Sequence, residues 1–168
     1  MLRPFKPVWA VFFVLPLWVS GTVLSRAEEA APTKNGLFPD EILTAEQLKQ
    51  KMDAHESFLL LDARDKKIFD SDHIQGAALP RGEEYYRQQE LFAAGIAPAA
   101  PDADAALAEQ MKSVPKDGPI VTYCNSNCHA SSALALILKQ SGFTNVRSME
   151  EGIQSWEKKG YPVVKPQA

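Results

Sequence analysis

The chain has 168 residues, 18 Lys and Arg against 21 Asp and Glu, a formal net charge of −3, 45% hydrophobic residues and two cysteines. That length suits one domain, the hydrophobic fraction is too high for a disordered chain, and two cysteines cannot staple a disulfide mini-scaffold. The acidic balance argues against a nucleic-acid partner, which needs a basic face to neutralise phosphates.

The hydrophobicity is unevenly spread. Arg3 and Lys6 precede an unbroken apolar run, residues 8–19, and Ser25-Arg26-Ala27 offers small residues on either side of Arg26 just before Glu28. Basic start, apolar run and small-x-small exit describe a secretory signal over residues 1–27. The expected location is therefore exported, periplasmic, with membrane attachment only where the segment stays uncleaved as an anchor. Cleavage after Ala27 removes three basic residues (Arg3, Lys6, Arg26) and no acidic ones. That leaves 15 basic against 21 acidic, a net of −6.

Residues 28–42, rich in Ala, Pro and Gly, read as a linker to a domain over 43–165. Thr44-Ala-Glu-Gln47 is a capping box opening a helix to about residue 54. The apolar run 58–61 ending at Asp62 reads as a buried strand, 65–71 as a short polar helix, and 73–80 as a turn leading into a second short strand. Two helices, 83–94 and 102–113, are expected within a helical insertion at about 81–115, a flap near the site. A strand over 120–123 runs straight into Cys124. A helix follows over 130–141, stopped by Gly142, then a strand over 145–149 and a helix over 152–159. Strands alternating with helices predict an α/β fold with a mainly parallel central sheet flanked by helices.

The stretch Tyr123-Cys-Asn-Ser-Asn-Cys-His-Ala130 carries the chemistry. A cysteine at the carboxyl end of a buried strand lies where open α/β sheets bind ligands. The short polar loop can turn its amides inward, and the following helix offers its positive end to the same point. Both effects are expected to lower the Cys124 pKa and stabilise a thiolate or a bound anion.

Five stretches in this order resemble the rhodanese-like family, over roughly residues 43–164. They are Leu60-Leu-Asp-Ala-Arg64, His73-Ile-Gln-Gly-Ala77, Tyr123-Cys124, Gly142-Phe-Thr-Asn-Val146, and Glu151-Gly-Ile-Gln-Ser-Trp156 followed by Gly160-Tyr-Pro-Val163. The resemblance implies a rhodanese-like three-layer fold and a sulfurtransferase. Cys124 would take sulfane sulfur from a small donor, thiosulfate or a persulfide, and pass it from a cysteine persulfide to a thiol acceptor. Asn125, Ser126, Asn127, Cys128, His129 and Ala130 would form the anion-binding loop, with Asp62 and Arg64 in support. No metal or organic cofactor is implied.

The departures from the family pattern bear on specificity. Asn125, Asn127 and His129 stand where the family has Arg, Gly and Arg. Asn tolerates a left-handed backbone, so Asn127 can keep the turn, but His129 cannot replace a guanidinium fork. Asp72 and Glu151 each replace a Gly and add negative charge, so a dianion such as thiosulfate is expected to bind weakly. Cys128 is a candidate resolving thiol, which leaves open a thiol–disulfide or persulfide redox protein, a structural Cys124–Cys128 disulfide, or a non-catalytic binding module. Cys124-x-x-x-Cys128-His129 is one residue too long for a haem attachment signature, with Met149 or Met111 as the conceivable sixth ligand, and the buried-strand context argues against it.

Asp62 and Arg64 are expected to pair structurally, and His73 to bond backbone rather than a ligand. His55 is expected at a solvated helix end, and Phe143, Trp156 and Tyr161 in or at the edge of the core. Arg81, Tyr85 and Tyr86 are, by position, candidates to recognise the acceptor.

Overall fold

Strand residues alternate between the two faces of a sheet, and the short strands of this chain are apolar on both. They therefore need a helical layer on each side. The computed structural model describes residues 30–166. The expected signal at 1–27 lies outside the described residues.

The sheet contains β1 (Leu59–Asp62), β3 (Ala77–Ala78), β4 (Ile120–Tyr123) and β5 (Val146–Met149), in the order β3-β1-β4-β5. Every neighbouring pair is parallel, with Asp62 opposite Tyr123 and Tyr123 opposite Met149. The expected second strand is instead two very short ones. β2 (His73–Ile74) leaves the sheet to pair antiparallel with β6 (Val163–Val164), because the tight turn at Gly76, φ 82°, separates it from β3.

Along β4, Ile120 joins one buried cluster while Val121 and Tyr123 join the other. The first cluster receives Leu107 and Met111 of α4 (Ala103–Met111) and Leu134, Ala135 and Leu138 of α5 (Ala130–Gln140). The second receives Ala45 and Leu48 of α1 (Ala45–Asp53) and Ile153 and Trp156 of α6 (Gly152–Lys158). The result is the expected three-layer α/β architecture. α2 (Lys66–Ser71) and α3 (Gly82–Ala93) complete the helices.

Local signals account for several boundaries. The Thr44 hydroxyl accepts the Gln47 N–H at 3.2 Å while Gln47 accepts the Thr44 N–H at 2.8 Å, closing the capping box of α1. Asp65 caps α2 by accepting from the Ile68 N–H at 2.9 Å. Among the described residues no helix is long and apolar enough to cross a membrane.

Two expectations change. The linker expected over 28–42 docks on the domain well before residue 43. Leu37 is fully buried in the first cluster, Ile42 bridges to Ser148, and Glu41 pairs with Lys139 of α5. Residues 81–115 do form two helices, but of the expected flap α4 is instead part of the core, while α3 buries no residue. Leu107 and Met111 are core residues, so lifting α4 would expose them to water.

Candidate active site

β4 delivers Cys124 to the carboxyl edge of the sheet, where the chain leaves the strand and turns into α5. The side chain is fully buried. Its sulfur lies 3.3 Å from the Asn125 carbonyl oxygen, 3.3 Å from the Cys128 carbonyl oxygen and 3.4 Å from the Ser131 hydroxyl. The turn that wraps it is closed by the Cys128 N–H donating to the Asn125 carbonyl at 3.2 Å. Asn127 supplies the left-handed residue of that turn, at φ 60°, as its side chain suggested.

Ser131 stands on the first turn of α5 and is held there from below. The Thr122 hydroxyl, on β4, donates to the Ser131 carbonyl at 2.9 Å. Strand and helix are thus tied together beside the Cys124 sulfur.

The outer limb of the loop is clamped by the start of α6. The Ser126 N–H donates to the Gln154 side-chain oxygen at 2.7 Å, and the Gln154 amide donates to Asn125 Oδ1 at 2.9 Å. The Ser126 hydroxyl donates to the Glu151 carbonyl at 2.6 Å, and the Ile153 N–H donates to the Cys124 carbonyl at 2.9 Å. Backbone meets backbone at Gly152. A Cβ there would fall 2.2 Å from Ser126 N and 2.4 Å from the Asn125 carbonyl carbon, and its φ of 76° is itself a glycine conformation.

These contacts reverse one expectation. The Cys124 pKa is pushed up, to about 11 from an ordinary 9.0. Burial is the main cause; hydrogen bonding from Ser131 works against it, and the neighbouring Cys128 adds to it. The loop turns two carbonyl oxygens, not only amides, toward the sulfur, and carbonyls favour the protonated thiol. Both cysteines are free thiols.

The supporting pair forms as expected. Arg64 Nε donates to Asp62 Oδ1 at 2.9 Å and Nη2 to Oδ2 at 2.7 Å, with both side chains buried. Burial opposes the Arg64 charge, but the bonds to Asp62 outweigh it and hold the guanidinium protonated more firmly than usual. The pair sits behind the Cys124 loop. The Ala63 N–H donates to the Tyr123 carbonyl at 2.8 Å, and the guanidinium carbon lies 5.8 Å from the Tyr123 ring centre. The Tyr123 hydroxyl in turn accepts the Ile74 N–H at 3.1 Å, and burial pushes its pKa up.

Residues 44–159 match the family model described as the rhodanese-like domain. The chain belongs to that family. A probable adenylyltransferase/sulfurtransferase MoeZ of Mycobacterium tuberculosis is 27% identical over 137 residues, which cover 81% of this chain and 28% of that protein. A protein named sulfurtransferase from Allochromatium vinosum is 34% identical over 58 residues, 34% of this chain and 53% of that one. This chain therefore spans little more than a quarter of the first relative and about half of the second. Among solved structures, the rhodanese-like domain of Anabaena Alr3790 superposes with a TM-score of 0.56 at 22% identity, covering 75% of this chain and 80% of that one. A thiosulfate sulfurtransferase from Pseudomonas aeruginosa superposes at 0.51 with 19% identity, covering 74% of this chain and 20% of that one. At these identities the superpositions establish the fold alone.

Within this rhodanese-like domain, Cys124 to His129 form one continuous loop around the sulfur, with Asn127 and His129 exposed and Ala130 opening α5. His129 precedes α5 without capping it and lines a surface hollow with Lys34, Asn35 and Ser132. The two substituted acids point away from the sulfur. Asp72 accepts from Arg64 Nη1 at 2.9 Å, and the Glu151 carboxylate accepts the Ala45 N–H at 2.9 Å at the start of α1. Their charges are therefore engaged elsewhere rather than added to the loop.

His73 bonds the Phe69 carbonyl at 2.9 Å and stacks on the Phe69 ring, a structural role as expected. Met149 and Met111 are both core residues, on opposite faces of the sheet. Among the described residues, no three His, Cys, Asp or Glu gather to hold a metal ion. Arg81, Tyr85 and Tyr86 do cluster. Arg81 lies over the Tyr85 ring, which meets the Tyr86 ring edge-on; burial pushes the Tyr86 pKa up with Arg81 working against it, and Arg81 Nε is buried without a partner among the described residues.

Sequence reasoning missed Ser131, Gln154 and the close approach at Gly152. Ser131 was the most legible of these, since the first turn of a helix after a reactive loop faces that loop. Gln154 lies within the Glu151–Trp156 motif, but nothing in the motif says that it reaches Ser126.

Proposed function

We propose that this protein is an exported sulfurtransferase that moves sulfane sulfur through a Cys124 persulfide to a thiol acceptor. The observation that carries this reading is Cys124 itself: a buried thiol at the carboxyl end of β4, wrapped by its loop and contacted by Ser131. The family and the sulfurtransferase names of its relatives support the reaction type. The apolar segment at residues 8–19 supports export.

In the first half-reaction the Cys124 thiolate attacks the outer sulfur of the donor. The donor's S–S bond breaks and its other fragment leaves with the electron pair: sulfite from thiosulfate, a thiolate from an organic persulfide. In the second, an acceptor thiolate takes the outer sulfur and Cys124 is regenerated as thiolate. No redox cofactor is needed, because every step exchanges one sulfur–sulfur bond for another.

The loop favours a low-molecular-weight persulfide over thiosulfate. It has no guanidinium, and the amides of Ser126, Cys128 and Ala130 already have acceptors in Gln154, Asn125 and Cys128 Sγ. A dianion would have to displace those bonds or be held by the remaining loop amides alone. Arg81, Tyr85 and Tyr86 are the proposed surface for the acceptor.

Intact mass spectrometry tests the reading. Incubation with glutathione persulfide should add the mass of one sulfur atom to a Cys128→Ser variant and nothing to a Cys124→Ser variant. Addition to both, or to neither, rejects Cys124 as the carrier.

A further inference from the structure

The sulfur of Cys124 touches residue 128 itself, at its carbonyl oxygen, 3.3 Å away. Cys128 is half-buried at the mouth of the same turn, and its own sulfur accepts the Ala130 N–H at 3.4 Å, at the amino end of the 11-residue α5. The only other thiol in the chain is thus on the residue the Cys124 thiol already contacts, with a hydrogen-bond donor of the kind a sulfur anion needs. We infer that Cys128 resolves the Cys124 persulfide, so that the loop releases its sulfur as hydrogen sulfide and closes a Cys124–Cys128 disulfide. The inference rests on the persulfide reading above.

Two features of the loop favour discharge over storage. The Asn125 and Cys128 carbonyl oxygens, each 3.3 Å from Sγ, oppose negative charge beside it and so favour the protonated persulfide, the form whose outer sulfur departs as HS⁻. The clamp is also one-sided. Gln154, Glu151 and Gly152 fix Asn125 and Ser126, whereas Asn127 is exposed and Cys128 half-exposed. The limb carrying Cys128 is held by local bonds, from the Cys128 N–H to the Asn125 carbonyl and from the Ala130 N–H to Cys128 Sγ, and is the less tethered side from which to approach Cys124.

The step balances within the loop. The Cys128 thiolate attacks Sγ of the protonated Cys124 persulfide, a Cys128–Cys124 sulfur–sulfur bond forms, and the bond from Sγ to the outer sulfur breaks. The outer sulfur leaves as HS⁻ with the electron pair and the persulfide proton. The sulfane sulfur is reduced by two electrons and the two cysteines are oxidised to the disulfide. An external dithiol resets the pair by ordinary exchange.

The test uses the full chain and its Cys128→Ser variant. Each is loaded with glutathione persulfide, freed of donor and thiols by desalting, and followed by intact mass and by sulfide assay. The wild type should release one equivalent of sulfide and end two hydrogens lighter than the reduced protein. Cys128→Ser should hold its added sulfur at least about tenfold longer. A wild type that keeps the sulfur as long as the variant, or that releases no sulfide, overturns the inference while leaving the persulfide reading intact. A Cys128→Ser protein that never takes up sulfur rejects the persulfide reading instead, and this inference with it.

Discussion

The Ser131 hydroxyl stands 3.4 Å from the Cys124 sulfur, and Ser131 itself is fully buried on the first turn of α5. It accepts from the thiol and can turn its O–H to the thiolate, beside a sulfur whose pKa burial has raised to about 11. The thiolate fraction should then rise about tenfold per pH unit from neutral toward that value. In a Cys128→Ser background, the rate of Cys124 alkylation by iodoacetamide is expected to climb across this range and to level only near pH 11. Ser131→Ala should move the curve further alkaline and slow both alkylation and persulfide formation several-fold at fixed pH. A plateau near neutral pH in the parent would show that the buried arrangement is not the reacting one.

The same shift fixes a sign for stability. The native state holds the Cys124 proton more tightly than the unfolded chain, so this contribution is complete below the ordinary thiol value of 9.0 and is lost as pH rises through about 11. Urea midpoints of the Cys128→Ser protein should fall over that window more steeply than those of a Cys124→Ala, Cys128→Ser double variant. Parallel curves would contradict the raised pKa.

Gly152 is the position least able to change. A Cβ at 2.2 Å from Ser126 N meets backbone, which cannot step aside as a side-chain end can, and φ is 76°. Gly152→Ala is expected to cost about 2–4 kcal/mol in urea unfolding, combining overpacking with left-handed strain. It should also disturb the loop, since Ser126 is what it strikes. A variant within about 0.5 kcal/mol of wild type would mean that α6 does not pack this closely on the loop.

Breaking the Asp62–Arg64 pair should be costly because the partner left behind is buried. Asp62→Ala leaves the Arg64 guanidinium with Asp72 alone, at the rim of the cluster. The expected loss is about 3 kcal/mol, measured by denaturant unfolding. Arg64→Lys should recover little of it, because an ammonium cannot make the two-pronged contact with Asp62. A loss below about 1 kcal/mol would make the pair an ornament of the fold rather than a support for Tyr123.

What the sequence disclosed follows the range of the interactions involved. The capping box at Thr44, the left-handed Asn127 and the strand running into Cys124 are set by residues within a few positions of one another, and each was legible. Asp62 and Arg64 are two apart and were legible for the same reason. Leu37 was hidden in an Ala, Pro and Gly context whose composition says nothing about docking. Gln154 reaches the loop across 28 residues of sequence. The direction of the Cys124 pKa shift turned chiefly on how deeply the fold buries the sulfur, beside which two carbonyl oxygens also lie. A short polar loop implies that amides are available, not that they are the groups aimed inward.

Gln154 offers a direct reading of that loop. Its side chain is exposed, so Gln154→Ala should leave unfolding free energy within about 1 kcal/mol of the parent. It frees the Ser126 N–H and the Asn125 side chain together, and with them the limb that keeps Cys124 covered. Local opening of the loop then becomes easier without global unfolding. In the Cys128→Ser background at a single pH, Cys124 alkylation is expected to accelerate about threefold to tenfold. The clamp assignment fails if the rate is unchanged. It fails differently if alkylation accelerates only in proportion to a loss of global stability, since Gln154 would then be supporting α6 and not the loop.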